Sequence, residues 1–491
     1  MCTTDDRHQD GSSGRDVRDD PAATGRTPGA DRAARVPRRQ FSRVAVAATA
    51  APLMAAVARG QEAATAQPAT GPLDHYVAAV DAARRVEPVA EGELAGVAWK
   101  TVRLVSQRWQ GVEWTHELSV CLPADVATGG RGTTMLFWID GGSAADPPAQ
   151  AGAATPSTSL RTAAVVAKAA GMPAAVIRQV PFQPMFGGLR EDGLIAHTFT
   201  KFAGTGDTTW PLLLPMVKAA VAGMDAAAEL ARDAWKCDVT GFVVTGASKR
   251  GWTTWLSAAV EERVVGIVPT VIDMLSLERH VRLQVESFGR LSEQLDDYTT
   301  RGIEKLLGTP RGRELIGIVD PYAYRDRLKT PKLITLGTND PYWPLEALEL
   351  YRSDLPGPCW VSYCPNAGHG IPGPRLMGLV AGMGRHAAGL EPLPAVSWEF
   401  VRTGRGADCR LEAAGEPERL MLWRATSDSR DFRRARWEGE VVDTAGPRLE
   451  IPLPRTDGRW SAAMVEVHHA RAAGPLVLST GVHVAGPAAA G

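Results

Sequence analysis

Six short apolar runs follow one another through the middle of the chain: Thr133 to Ile139, Ala174 to Val180, Val239 to Thr245, Val264 to Val268, Lys332 to Leu336 and Cys359 to Tyr363. Each has strand length, most are bounded by Gly, Asp or Pro, and each is nearly continuous in hydrophobicity, as a strand covered on both faces must be. Helical stretches with apolar residues recurring at three and four lie between several of them, for example Leu214 to Trp235 and Lys249 to Val260. Such alternation requires a mostly parallel sheet with helices on both sides, a doubly wound α/β domain. Upstream, Ala98 to Pro123 alternates Trp, Val and Leu with polar residues around Gln110-Gly111, which predicts antiparallel strands joined by a turn.

The rhythm breaks twice. Between Asp273 and Lys332 lies a charged, helix-like interval including Leu277 to Phe288 and Leu291 to Leu307. Residues at about 275–328 therefore read as an insertion, either a lid above the strand ends or plain surface helices. After Pro392-Leu393-Pro394 the helical period ends, and Val396 to Val401, Arg419 to Ala425, Arg448 to Ile451, Ala462 to His468 and Leu476 to Val484 are separated by Gly, Pro and Asp turns. Short strands at this spacing predict an immunoglobulin-like β-sandwich over 395–491, behind an α/β domain over 67–394. The adjacent His468 and His469 face opposite sides of a strand and are poor joint ligands.

A chain of 491 residues has room for two domains and a processed end. The formal net charge of -1 gives no electrostatic reason for a nucleic-acid partner. Cys121, Cys237, Cys359, Cys364 and Cys409 are scattered, with no zinc-holding spacing, and nothing in the sequence calls for a metal or another cofactor. With Cys2 removed an odd number of cysteines remains, so at least one is unpaired or pairs between molecules. At the start, Arg38-Arg39-Gln40-Phe41 leads into the Ala/Val run from Val44 to Val57, and Ala64-Thr65-Ala66 supplies the small-x-small pattern of a cleavage site. Residues 1–66 thus resemble a twin-arginine export signal, which predicts a periplasmic or extracellular protein beginning at Gln67. No later apolar segment reaches the roughly 20 residues of a membrane span.

The chemistry centres on Val243-Val244-Thr245-Gly246-Ala247-Ser248-Lys249-Arg250-Gly251. An apolar strand passes through small residues into a helix, the order that lifts a serine hydroxyl above a sheet as a nucleophile elbow. The Lys249 amide, at the positive helix end, is the natural first donor to an oxyanion. The usual pattern has Gly two positions after Ser, whereas here Arg250 stands there and Gly251 follows. Glucuronoyl esterases also carry Ser-basic-x-Gly, and by that resemblance the Lys249 side chain also faces the oxyanion.

Two later strands end in loops bearing Asn339-Asp340-Pro341 and Ala367-Gly368-His369. The chain order Ser, Asp, His is that of the α/β-hydrolases. An imidazole must take the proton of a serine hydroxyl before it attacks, and a carboxylate must orient the ring, so Ser248, His369 and Asp340 are the candidate catalytic residues. Asp273, ending the preceding strand, is a second candidate for the acid. Gly141 and Gly142 of Asp140-Gly141-Gly142-Ser143 are candidate second oxyanion donors. Trp210, Trp252 and Trp343 are candidate substrate-flanking aromatics.

Several stretches together resemble the PhoPQ-activated pathogenicity-related proteins, a family including the autocrine proliferation repressor group. They are Arg190-Glu191-Asp192 with Ile195-Ala196, Trp210 to Ala220, Met224-Asp225, Gly246 to Trp255, Asn339 to Trp343, Pro365 to His369, Trp423 to Ala425 and Arg430 to Arg433. The resemblance implies an α/β-hydrolase domain with a β-rich tail, in proteins often exported and linked to virulence regulation or growth signalling. Two functions follow as expectations: a serine hydrolase acting on a small ester or a peptide, or a binding protein that keeps the scaffold without turnover and meets a protein partner through its C-terminal domain.

Overall fold

The computed structural model describes residues 70–126, 132–144, 156–443 and 448–487, so the expected export segment lies outside the described residues. A short helix, α1 (Pro72–Ala78), leads into three antiparallel strands, β1 (Arg85–Leu94), β2 (Val97–Trp109) and β3 (Val112–Pro123). Trp109 pairs with Val112, and the Gln110-Gly111 turn between them has φ of 49° and 78°. Positive φ at both turn residues matches the twist of the flanking strands, which is why glycine stands there.

The α/β alternation follows: β4 (Thr133–Ile139), α2 (Thr158–Ala170), β5 (Ala174–Ile177), α3 (Glu191–Thr205), α4 (Leu213–Trp235), β6 (Val239–Ala247), α5 (Lys249–Val260) and β7 (Val264–Thr270). The charged interval forms α6 (Leu277–Phe288), α7 (Asp296–Thr299), α8 (Ile303–Leu307) and α9 (Pro310–Val319), after which come β8 (Lys332–Gly337), β9 (Cys359–Cys364) and α10 (Gly373–Ala387). Where the sequence predicts one helix over Leu291 to Leu307, the chain breaks into short turns, with Gly302 at φ 67° capping the start of α8.

Nine strands form one sheet in the order β1-β2-β3-β5-β4-β6-β7-β8-β9. From β5 to β9 all neighbours are parallel, while β3 runs antiparallel to β5. From β2 onward this is the α/β-hydrolase order, with its antiparallel second strand and its third and fourth strands exchanged. Val243 and Val244, adjacent on β6 and fully buried, belong to different core clusters, as a strand sandwiched between two layers requires. One layer holds α4, α5 and the inserted helices; the other holds α2 and α10.

The C-terminal strands are β10 (Val396–Thr403), β11 (Gly406–Ala413), β12 (Arg419–Ser427), β13 (Glu438–Val442), β14 (Arg448–Pro454), β15 (Trp460–His469), β16 (Leu476–Ser479) and β17 (His483–Ala485). They form two sheets, β10-β11-β14 and β13-β12-β15-β16, with β17 pairing β15. Leu411, Leu422, Ile451 and Val465 fill the space between the sheets, which makes a β-sandwich. Its β16 is shared with the α/β domain: Leu476 and Leu478 pack in the cluster of Val243, Val268 and Leu333, and Tyr363 N donates to Ser479 Oγ at 2.8 Å. The five cysteines of the described residues are all free. Among the described residues no helix is long and apolar enough to cross a membrane.

Candidate active site

β6 delivers its last apolar residues into Gly246-Ala247, and α5 begins immediately after Ser248. Ser248 has φ 57° and ψ −122°, a strained conformation for a residue with a side chain, and the surrounding structure holds it there. Its amide donates to Thr270 O at 2.8 Å and its carbonyl accepts from Trp252 N at 2.9 Å. The strand and helix meet so closely that a Cβ on Gly246 would lie 2.7 Å from Arg250 O, and one on Gly251 would lie 2.9 Å from Gly246 O. Position 251, not 250, therefore faces the strand, which explains the shifted glycine. Arg250 turns outward, giving Nε to Val180 O at 2.6 Å and a two-pronged pair to Glu191 at 2.7 and 2.8 Å. Burial alone would raise the Glu191 carboxyl, but Arg250, with help from Gln183 and Lys249, holds it down at about 2.

The loops after β8 and β9 meet above this elbow. Asn339 N donates to Ala367 O and Asn366 N to Thr338 Oγ1, and the bare Cα of Gly337 lets the Ala367-Gly368 backbone approach. His369 Nε2 lies 2.8 Å from Ser248 Oγ, and its Nδ1 lies 2.8 and 3.0 Å from the two oxygens of Asp340. Asp340 is 3% exposed and also accepts Tyr342 N at 2.9 Å. An ionised carboxylate only accepts hydrogen bonds, so Nδ1 is the donor and Nε2 is left to accept the serine hydroxyl. Asp273, the other acid compatible with the sequence, is instead bonded by the Tyr351 hydroxyl at 2.7 Å, and burial pushes its carboxyl up to about 8.

Other expected residues fall variously. The Gly141 amide donates to Asp140 Oδ1 at 2.7 Å, so it is engaged within its own turn rather than offered to an oxyanion. Gly142, at φ 134°, keeps a conformation that only glycine adopts readily, and its carbonyl accepts from Gln183 Nε2. The Lys249 ammonium turns to acids, 3.1 Å from Asp192 Oδ2 and 3.5 Å from Glu191 Oε2, and not toward an oxyanion. Trp252 and Trp343 line a cavity beside Ser248, their indole N–H groups bound to Val319 O and Val271 O. Trp210 does not line it; its ring packs with Trp109 and Phe186.

The cavity, about 810 Å³ of atom-free space counted out to open solvent, lies between Ser248, α5 and the inserted helices, with Phe199, Leu277, Val281, Leu295, Ile303 and Leu307 in its wall. Sequence reasoning missed the group that closes it. Asp192, at the start of α3, accepts the hydroxyls of Tyr298 at 2.8 Å and Tyr342 at 3.2 Å, while the Tyr342 ring rests 4.3 Å from the His369 ring. The sequence signals were two adjacent acids opening a helix, which also suit the helix dipole, and the Arg190-Glu191-Asp192 and Asn339-to-Trp343 stretches of the family resemblance, none of which gave Asp192 a role. Two atoms in the wall residues, His280 Nδ1 and Glu304 Oε2, are buried without a hydrogen-bond partner. Among the described residues no cluster of His, Cys, Asp and Glu is placed to hold a metal.

Strand order and elbow define an α/β-hydrolase scaffold. The chain matches the PhoPQ-activated pathogenicity-related proteins over residues 73–433 and belongs to that family. It is 28% identical over 435 residues to autocrine proliferation repressor protein A of Dictyostelium discoideum, covering 81% of this chain and 86% of that one. Among solved structures it is similar to an acetyl xylan esterase from Paenibacillus sp. R4, with TM-score 0.41 and 15% identity over 59% of this chain and 84% of that chain. Acetyl xylan esterase 1 of a Thermoanaerobacterium species gives TM-score 0.43 and 13% identity, over 61% and 88% of the two chains.

Proposed function

We propose that the protein is an exported serine hydrolase that cleaves an ester or peptide bond through an acyl-enzyme at Ser248. One observation carries this reading: an unbroken hydrogen-bond chain from Asp340 through His369 to Ser248, 2.8 Å at each link, at a strained strand-to-helix turn. His369 takes the Ser248 proton as the hydroxyl attacks the carbonyl, then gives it to the departing alcohol or amine; water enters by the same route and releases the acid. Asp340 orients the ring and stabilises its charge. The Lys249 amide, at the first turn of α5, and the Gly142 amide are the proposed oxyanion donors.

A fluorophosphonate probe tests the reading. Labelling of the mature chain that is lost in Ser248→Ala supports it, and folded protein that refuses the probe points to the rival. That rival is a binding or signalling protein, favoured by the similarity to a protein named as a proliferation repressor. Export through the twin-arginine route is tested by Arg38→Lys with Arg39→Lys, which should leave the precursor uncleaved in the cytoplasm; normal export of the double variant would refute that part.

A further inference from the structure

We infer that the cavity beside Ser248 is an acyl-chain pocket, and that the substrate is an ester of an aliphatic acid several carbons longer than acetate. The inference rests on the serine-hydrolase reading and deepens it. A leaving group must sit against His369, because that imidazole delivers its proton. Ser248 lines the cavity, and apart from Tyr342, which stacks on His369, its wall comes mostly from α3, α5 and the inserted helices, elements that do not carry His369, so most of the space lies off the side the departing group needs. What fills it is the part of the substrate that stays on the serine.

The wall states the chemistry of that part. Side chains of α5 and the inserted helices supply an apolar surface, and the charged or amide groups among them are largely satisfied by one another. Lys249 pairs with Asp192, and Gln284 bonds His280, the Tyr342 carbonyl and Ser292 N. The two unpartnered atoms, His280 Nδ1 and Glu304 Oε2, are already out of contact with water, so an entering alkyl chain strips no hydration from them. A chain of eight carbons takes roughly 240 Å³ at a liquid-like share of about 30 Å³ per heavy atom. The cavity of about 810 Å³, part of it open to solvent, accommodates that chain and is far larger than an acetyl group needs.

The test is a series of p-nitrophenyl esters, from acetate to octanoate, with the purified mature chain. Each methylene buried should raise kcat/KM about fourfold, so hexanoate should exceed acetate by at least about a hundredfold. Leu295→Trp fills the cavity from a partly exposed position on the insertion and should lower the hexanoate-to-acetate ratio at least tenfold. Fluorophosphonate labelling of both proteins separates the two claims. Labelling with acetate as the best substrate, with turnover of peptide amides but not of alkyl esters, or with a ratio unmoved by Leu295→Trp, overturns the acyl pocket and leaves the hydrolase. Absence of both labelling and turnover overturns both.

Discussion

Asp273 and Asp340 stand at the ends of neighbouring strands, and sequence alone could not choose between them. Their surroundings differ. Asp340 contacts the His369 ring, whereas Asp273 is enclosed with Tyr351, and burial pushes its carboxyl up to about 8. Replacing each by Asn should therefore have different consequences. Asp340→Asn is expected to lower kcat by about 10⁴-fold, because the ring loses its correct tautomer; Asp273→Asn should keep kcat within about twofold, since it touches no reacting group. The sign of the pH effect follows from the raised carboxyl. In the unfolded chain Asp273 ionises near its ordinary value, so the stability it contributes is present below about pH 4 and is lost as pH rises toward about 8. Thermal melts should show the wild type losing stability between pH 5 and 8, and Asp273→Asn losing less over the same interval. An equal slope in both proteins would mean that Asp273 is ionised in the fold.

At the scale of elements, the parallel strands and α5 were legible because burial on both faces writes itself as unbroken hydrophobicity. The helix Lys249–Val260 falls where its period predicts. β13 was not legible: as an exposed edge strand, Glu438–Val442 has no buried side chain to leave a pattern. β11 was hidden for a related reason, since its inward positions include the small Ala407, Cys409 and Ala413. In the site, Ser248, His369 and Asp340 were readable from residue type and order, while the Asp192 group was not, because the partners that give it meaning lie on three other elements. Arg250 shows how such links hold the elbow. It ties α5 to the start of α3 through Glu191, whose side chain is 37% exposed against 12% for the arginine. A fully buried pair costs about 3–5 kcal/mol when broken; partial exposure lowers this, and Arg250→Met is expected to cost about 2 kcal/mol in urea unfolding. Because the Glu191 carboxyl is held down at about 2, its contribution is present above about pH 4.5 and disappears as pH falls toward 2. Wild type should lose stability between pH 5 and 3 more steeply than Arg250→Met, and parallel curves would show that the pair contributes nothing.

On the scale of the whole molecule, the sandwich is bound to the site-bearing loops as well as to the sheet. Asn339 Nδ2 donates to Ala435 O at 2.6 Å, and Asn366 exchanges two bonds with the Trp437 backbone, at 2.9 and 3.0 Å. These asparagines sit in the loops that carry Asp340 and His369, so segment 432–437 holds both loops in place. Beneath them, Arg375 of α10 pairs with Glu466 of β15 at 2.5 Å, where the carboxylate is 3% exposed. Leu476 and Leu478, at 1% and 0% exposure, close the core layer over β9 and α10. Each buried leucine is worth about 1.5–3 kcal/mol, a large share of a typical total of about 5–15 kcal/mol. Ending the chain after Pro394 removes all of these at once: it opens one face of the core, strips Arg375 of its partner and releases the two loops. Calorimetry of residues 67–491 is therefore expected to show one cooperative transition, and the 67–394 fragment should be insoluble or lack a transition of its own. If the fragment proves soluble, melts cooperatively and still takes a fluorophosphonate at Ser248, the sandwich is an appendage and the loops stand without it.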